Sequence, residues 1–113
     1  MILVTTNDVP GRRVAEVMGL VRGSSVRARH MGRDLAALLK NVVGGEVEEY
    51  TKLLAEAREQ ALDRMVAEAT AKGADAVMCM RFSSSEIASG AAEVLVYGTG
   101  VKLSPEAGGP PEA

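Results

Sequence analysis

The strongest constraint on the fold of this chain is a long stretch of helical character, Glu46 to Lys72, enclosed by glycines. Gly44 and Gly45 precede the stretch and Gly73 follows it, a placement that is typical of helix boundaries. Apolar residues recur inside it at spacings of three and four, which predicts one buried stripe: Tyr50, Leu54, Ala57, Ala61, Met65 and Ala69. At ~1.5 Å per residue, this helix would be about 40 Å long.

A helix of that length is slightly longer than the core that one chain of this size builds. A compact domain of 113 residues has a diameter of roughly 34 Å. Either one end of the helix therefore lies in water, or a second subunit covers it. The chain is predicted to form one domain, residues 1–103, followed by a disordered tail, residues 104–113, that lacks apolar periodicity.

Composition excludes several classes of protein. The chain is 47% apolar but only 3% aromatic, so the core is expected to consist of Val, Leu, Ala and Met. The net charge is -2 and the basic residues are not massed in one run, which argues against a nucleic-acid binder. No stretch approaches the ~20 apolar residues of a membrane span. One cysteine and the absence of a signal-peptide pattern at the N-terminus favour a cytoplasmic protein.

The remaining segments predict strands on both sides of a helical middle. Strands are expected at 1–6, 12–23, 74–82 and 91–103, and a first helix from Gly32 to Val43. Glycine and serine runs at 23–25 and 83–85 are interpreted as a strand end and a loop. The order β-β-α-α-β-β predicts an α+β fold of two layers, a mostly antiparallel sheet packed by helices. The opposite sheet face also carries Val and Met, a second reason to expect an oligomer.

Short motifs along nearly the whole chain resemble one known family. They are Gly19-Leu20-Val21-Arg22-Gly23, Val26-Arg27-Ala28-Arg29-His30-Met31-Gly32-Arg33-Asp34, Val43-Gly44-Gly45-Glu46, Glu49-Tyr50-Thr51, Ala57-Arg58, Gly73-Ala74-Asp75-Ala76-Val77, Arg81-Phe82, Glu93-Val94 and Tyr97-Gly98-Thr99. In this order they resemble the YbjQ-like family of small bacterial proteins, which is labelled as heavy-metal-binding and has no characterised function. The resemblance implies a dodecin-like subunit that assembles as a ring-shaped homopentamer, sometimes stacked as a decamer. In the family a small residue, often Gly, commonly occupies the position of Cys79, so Cys79 is not carried over as a ligand.

The family's metal label has one candidate ligand in this sequence. Soft metals bind thiolate, thioether or imidazole groups, and the chain has one Cys, one His and six Met without any CxxC, HxxxH or HExxH spacing. A ring could bring symmetry-related copies of His30 together, which makes His30 the candidate ligand for a divalent or heavy metal ion. Alternatively, His30 and Arg29 bond to loop backbone or to an acidic neighbour across an interface. Cys79 is expected to point away from both Met78 and Met80 on a strand and to be a small buried residue.

A set of polar residues suggests a site between subunits. Two interpretations stay open: a salt-bridge network that fixes subunit register, or a pocket for a small anion with bidentate arginine contacts. The set comprises Arg29, Arg33, Asp34, Glu46, Glu49, Tyr50, Arg58 and Arg81. Gly98 and Gly100 indicate a bulge or a close backbone approach in the last strand.

Enzymatic activity is the weakest of the functional hypotheses. The only histidine is far from the serines in sequence, and no GxSxG motif surrounds any serine. Three other hypotheses stay open. The first is a non-catalytic, ring-forming protein that can also bind a ligand between subunits. The second is a metal-binding protein that uses symmetry-related His and carboxylate groups, and the third is a small-molecule or anion binding module.

Overall fold

The computed structural model describes residues 1–28, 48–88 and 91–105, which form one four-stranded sheet and one helix. The strands are β1 (Ile2–Leu3), β2 (Val14–Ala28), β3 (Ala76–Ala88) and β4 (Ala91–Leu103), and the helix is α1 (Glu48–Ala71). The order across the sheet is β1-β3-β4-β2; β1 is parallel to β3 and the other pairs are antiparallel. This confirms the α+β class and the mostly antiparallel sheet. The first predicted helix lies outside the described residues, and the ring and the dodecin-like order stay predictions.

The helix follows its predicted pattern closely. Ala57, Ala61, Met65 and Ala69 are fully buried, so the spacing of three and four does define the face that packs on the sheet. Gly73, at φ +82°, ends the helix with the bonds of a Schellman motif. Its N–H donates to the Thr70 carbonyl at 3.0 Å, and the N–H of Ala74 donates to the Ala69 carbonyl at 2.9 Å.

The helix packs on β2 at a glycine. Gly23 is buried, and a Cβ at this position would overlap the Ala61 carbonyl oxygen and the Met65 amide nitrogen of α1. Only a residue without a side chain allows the two backbones to lie this close. Beside this contact the fully buried Ser25 hydroxyl donates to Gln60 Oε1 at 2.6 Å, which satisfies its polar group inside the layer.

Two predicted strand ends were wrong for the same reason. The second strand was expected to stop at residues 23–25, but β2 continues through them to Ala28. The loop expected at 83–85 is likewise part of β3, where Ser83 and Ser84 pair with Leu95 and Val94 of β4. These glycine and serine runs supply small side chains within paired strands rather than turns.

Three helix side chains cap the outer edge of β2. Arg64 Nη1 donates to the carbonyl of Ser24 at 2.7 Å, and Lys72 Nζ donates to the carbonyl of Leu20 at 2.9 Å. Between them, Glu68 Oε1 accepts the N–H of Arg22 at 2.8 Å. These residues follow one another at the four-residue spacing of helix ion pairs, yet each bonds an edge strand that would otherwise expose its backbone.

The two ends of the described chain meet beside a second, smaller core. Ala76, Val101 and Leu103 form this cluster, with Val9 and Met78 against it. Asp75 joins the surrounding elements, because its N–H donates to the Val101 carbonyl, its carbonyl accepts from Ile2 and its Oδ2 accepts from the Leu103 N–H. Within the described ranges, no helix is both long enough and apolar enough to cross a membrane.

The contact at Gly23 leads to a first prediction. Gly23→Ala should lower the free energy of unfolding by at least about 3 kcal/mol, because the new methyl group must displace helix backbone. Gly100→Ala is the matched control: its Cβ would lie 3.1 Å from a Val21 methyl group, which can shift, so the loss should be about 1 kcal/mol. Urea unfolding followed by circular dichroism measures both. Equal losses in the two variants would contradict the assigned helix contact.

Candidate functional site

The sheet face that points away from α1 is largely uncovered in this chain. We call it the open face. It is defined by alternate residues of three strands: Val17, Leu20, Arg22, Ser24 and Val26 of β2, Arg81, Ser83 and Ser85 of β3, and Glu93, Leu95, Tyr97 and Thr99 of β4. Val17 is 64% exposed, Leu20 56% and Val26 53%, high values for aliphatic side chains on one strand. Several exposed aliphatic side chains on one sheet face, together with Tyr97, favour an interaction site.

A tyrosine flanked by two arginines crosses the middle of the open face. The strand registers pair Tyr97 with Arg22 on one side and with Arg81 on the other. Arg81 Nη1 donates at 2.9 Å to the carbonyls of both Thr5 and Met80, so this guanidinium ties the segment after β1 to β3. Arg81 therefore makes a structural contact and keeps its remaining donors on the open face.

The structure separates the other predicted polar residues from Arg81. Arg58 is exposed on α1, so the sheet lies between it and the open face. Glu49 and Tyr50 belong to the first turn of α1. Outside the described residues lie the candidate metal ligand and the rest of the set: His30, Arg29, Arg33, Asp34 and Glu46. A shared site between subunits stays a prediction, because one chain does not bring Arg58 and Arg81 together.

Cys79 lies in a bulge and not in a regular strand. Its φ is +56°, in the left-handed region, and the β3–β4 register shifts between Met78 and Arg81. The expected alternation at this point was wrong. Met78 packs against the smaller core and Met80 against the core under α1, so the two thioethers lie on opposite faces of the sheet. The thiol itself is half-buried.

Gly98 faces this bulge from β4, as the close approach predicted from sequence requires. A Cβ on Gly98 would lie 2.6 Å from Val77 Cγ1 and 2.9 Å from the Met78 carbonyl oxygen. The glycine thus accommodates the backbone of β3 within the same chain.

A groove runs along the edge of β2 beside the open face. It has a volume of about 610 Å³ and is lined by Arg22, Gly23, Ser24, Arg64, Glu68, Glu93 and Leu95. Two of its charged residues, Arg64 and Glu68, already bond the backbone of β2. The lining contains two arginines and two glutamates, so its charge selects neither an anion nor a cation.

Comparison with known proteins assigns the family. The YbjQ family model, described as "Putative heavy-metal-binding", matches residues 1–104. The chain belongs to the YbjQ family. Relatives named UPF0145 protein include one from Archaeoglobus fulgidus, 55% identical over 91% of this chain and 95% of the relative. Another, from Thermotoga maritima, is 56% identical over 91% of this chain and 97% of the relative. The archaeal relative shows that the YbjQ family is not confined to bacteria.

A solved structure shares the fold. A protein of unknown function from Pediococcus pentosaceus aligns with a TM-score of 0.60, covering 92% of this chain and 98% of its own at 14% identity. At that identity the match concerns the arrangement of strands and helix alone.

The described part of this YbjQ chain shows whether its side chains are grouped so that they could bind a metal ion. In residues 1–28, 48–88 and 91–105, no group of three or more His, Cys, Asp or Glu side chains is placed to hold a metal ion. Cys79 therefore lacks the additional ligands that a soft metal requires. A metal site within a single subunit does not fit this part of the molecule.

Sequence reasoning missed the residues that define the open face. Leu20 was counted only as a strand residue, Val26 was placed beyond the end of that strand, and Arg22 was not placed beside Tyr97. These residues become neighbours because different strands pair in the sheet. The periodicity of a single segment therefore cannot predict which of them lie together. The four-residue spacing of Arg64, Glu68 and Lys72 was visible in the sequence, but the strand edge that it caps was not.

The conformation of Cys79 leads to a second prediction. Cys79→Gly should raise the free energy of unfolding by about 0.5 kcal/mol, since relief of left-handed strain outweighs the entropy that glycine adds to the unfolded chain. Cys79→Val should lower it by more than 1 kcal/mol, because a β-branched residue resists this conformation. Cys79→Ala, which keeps a Cβ, is the control. Thermal unfolding under reducing conditions measures the series, and equal losses for Gly and Val would show that thiol contacts dominate.

Proposed function

We propose that this protein is a non-catalytic subunit of a homo-oligomer, and that a second copy of the chain covers its open face. The supporting observation is the exposure of Val17, Leu20 and Val26 beside Tyr97 on a sheet whose other face is packed by α1. A sheet in a two-layer fold with one face buried normally presents polar residues on the other. Here the second face carries exposed aliphatic side chains on both sides of its central arginine–tyrosine row.

The free energy of association requires a larger buried surface than a few aliphatic side chains provide. Complete burial of a Val or Leu side chain contributes roughly 1.5–3 kcal/mol, so covering these half-exposed residues contributes about 1 kcal/mol each. Association costs roughly 4–15 kcal/mol of lost freedom. Val17, Leu20 and Val26 of one copy together contribute about 3 kcal/mol, which is less than that cost. Tyr97 and Leu95 must therefore also be covered, which requires a partner that spans the face from β2 to β4.

The family resemblance suggests the form of the assembly. We propose a cytoplasmic ring of five chains, single or stacked as a decamer, in which each subunit covers part of its neighbour. Neither the family description nor the names of the relatives include a catalytic activity.

Metal binding is the second candidate function, and the family description favours it. The described residues contain no group of three or more His, Cys, Asp or Glu side chains placed to hold a metal ion, and we propose a site where subunits meet. His30 from several copies, together with carboxylates, would supply the ligands for a divalent or heavy metal ion. Anion binding by arginines of neighbouring subunits, Arg81 among them, is a third candidate with less support, because Arg81 already bonds two carbonyls.

Assembly through the open face gives a third prediction. Leu20→Asp should convert the oligomer to a monomer, because a carboxylate buried against an apolar partner costs several kcal/mol, equivalent to a loss of more than 100-fold in affinity. Ala67→Asp places the same charge on the exposed side of α1 and should leave assembly unchanged. Native mass spectrometry gives the subunit number of each protein. A monomeric wild-type protein, or an intact Leu20→Asp oligomer, would exclude the open face as the interface.

The metal function makes a fourth prediction. Protein purified without chelator should carry metal in a fixed ratio to subunits, and His30→Ala should remove it while the oligomer remains. Cys79→Ser is the control and should retain the metal, since Cys79 has no fellow ligands among the described residues. Elemental analysis together with native mass spectrometry measures the ratio. An unchanged ratio in His30→Ala would exclude His30 as the ligand.

A further inference from the structure

The middle of the open face carries a group of side chains that donate hydrogen bonds. The strand registers place Arg22, Tyr97 and Arg81 in one row across β2, β4 and β3. Ser24 and Ser83 belong to the next row, on either side of the central strand. All three residues of the first row are exposed, so their polar groups are accessible to a ligand in this chain.

No carboxylate balances the charge of the two arginines within these rows. The acidic member of the open face, Glu93, lies four residues from Tyr97 along β4, ~13 Å away. Glu68 reaches the strand from α1, where its Oε1 accepts the backbone N–H of Arg22. Among the described residues, the Arg22 guanidinium itself has neither a hydrogen-bond partner nor an ion-pair partner. Its donors are therefore available to an anion.

Arg81 is held in place and keeps the donors that recognise an oxyanion. Both of its hydrogen bonds, to the carbonyls of Thr5 and Met80, use Nη1. The Nε and Nη2 groups remain, a pair that can form the two parallel bonds of a bidentate contact with phosphate. Because two carbonyls already restrain the guanidinium, a ligand loses less free energy in ordering it.

The width of the row suits an anion with several acceptor oxygens. Neighbouring strands lie ~4.8 Å apart, so the Cα atoms of Arg22 and Arg81 are about 10 Å apart, with Tyr97 between them. A phosphoryl group presents three strong acceptor oxygens. Two guanidinium groups and a phenol hydroxyl can each donate to a different one, whereas a carboxylate has only two oxygens. We propose that Arg22, Tyr97 and Arg81 bind a phosphoryl group, as inorganic phosphate or on a small organic molecule.

This site differs from an anion site shared between subunits, because one chain supplies all three residues. It therefore does not depend on the proposed assembly. It is also compatible with assembly, since burial of an unpaired charge under a second copy is unfavourable. A bound phosphoryl group neutralises the two guanidinium groups in that arrangement.

Isothermal titration calorimetry with inorganic phosphate tests the site in the intact protein. We expect saturable binding of one phosphate per chain. Arg22→Gln should weaken binding at least about tenfold, because it removes charge-assisted hydrogen bonds. Tyr97→Phe removes only the phenol hydroxyl and should weaken binding about threefold. Arg58→Gln is the matched control: it removes the same charge from the exposed side of α1 and should leave the affinity unchanged.

A conservative change at Arg81 separates geometry from charge. Arg81→Lys keeps the positive charge but lacks the planar fork, so it should weaken phosphate binding at least about fivefold. Circular dichroism shows that each variant is folded at the temperature of the titration. Unchanged binding in Arg81→Lys, equal losses in Arg22→Gln and Arg58→Gln, or no saturable binding by the natural protein would each overturn the proposed site.

Phenyl phosphate distinguishes the two sources of the phosphoryl group. Tighter binding of phenyl phosphate than of inorganic phosphate would assign the site to organic phosphates, and the reverse order would assign it to the inorganic ion. The outcomes also separate this inference from the proposed function. A monomer that binds phosphate would overturn the proposed assembly alone, whereas an oligomer without saturable phosphate binding would overturn this inference alone.

Discussion

The close contact between α1 and β2 at Gly23 is the constraint on which the other features of the structure depend. Because no side chain separates the two backbones there, α1 lies low enough over the edge of the sheet for its charged side chains to reach the strand. Four residues of a helix rise ~6 Å and two residues of a strand rise ~6.6 Å. Side chains four residues apart on the helix therefore lie beside backbone groups two residues apart on the edge of the strand. The buried Ser25–Gln60 bond belongs to the same contact.

The part of the fold that sequence could predict is the part set by periodicity within one segment. The stripe from Ala57 to Ala69 was correct because burial of a helix face requires that spacing, and β4 was correct in its bounds. The ends of β2 and β3 were wrong because composition cannot distinguish glycines and serines in a turn from glycines and serines within paired strands. The alternation around Cys79 failed because a bulge inserts one residue and reverses the faces that follow.

The candidate site was less accessible to sequence reasoning. Arg81 was a candidate from sequence, and its neighbours Arg22 and Tyr97 come from two other strands, so that only the register brings the three into one row. The family description directs attention to metal, whereas the described residues direct it to surfaces. They contain a sheet face with exposed aliphatic side chains and, beside it, a strand edge that is capped by Arg64, Glu68 and Lys72.

The order of the strands also bears on how the protein is made. The last strand in sequence, β4, is an inner strand of the sheet, paired with β2 on one side and β3 on the other. Among the described residues, β2 gains its partner strand only after β4 has left the ribosome, and the bond from the Leu103 N–H to the Asp75 carboxylate forms equally late. Most sheet contacts therefore join residues that are far apart in sequence, a type of contact that slows folding and leaves nascent strands exposed. A chain released before residue 91 would lack the strand that joins β2 to β3, which makes such products strong substrates for chaperones and proteases.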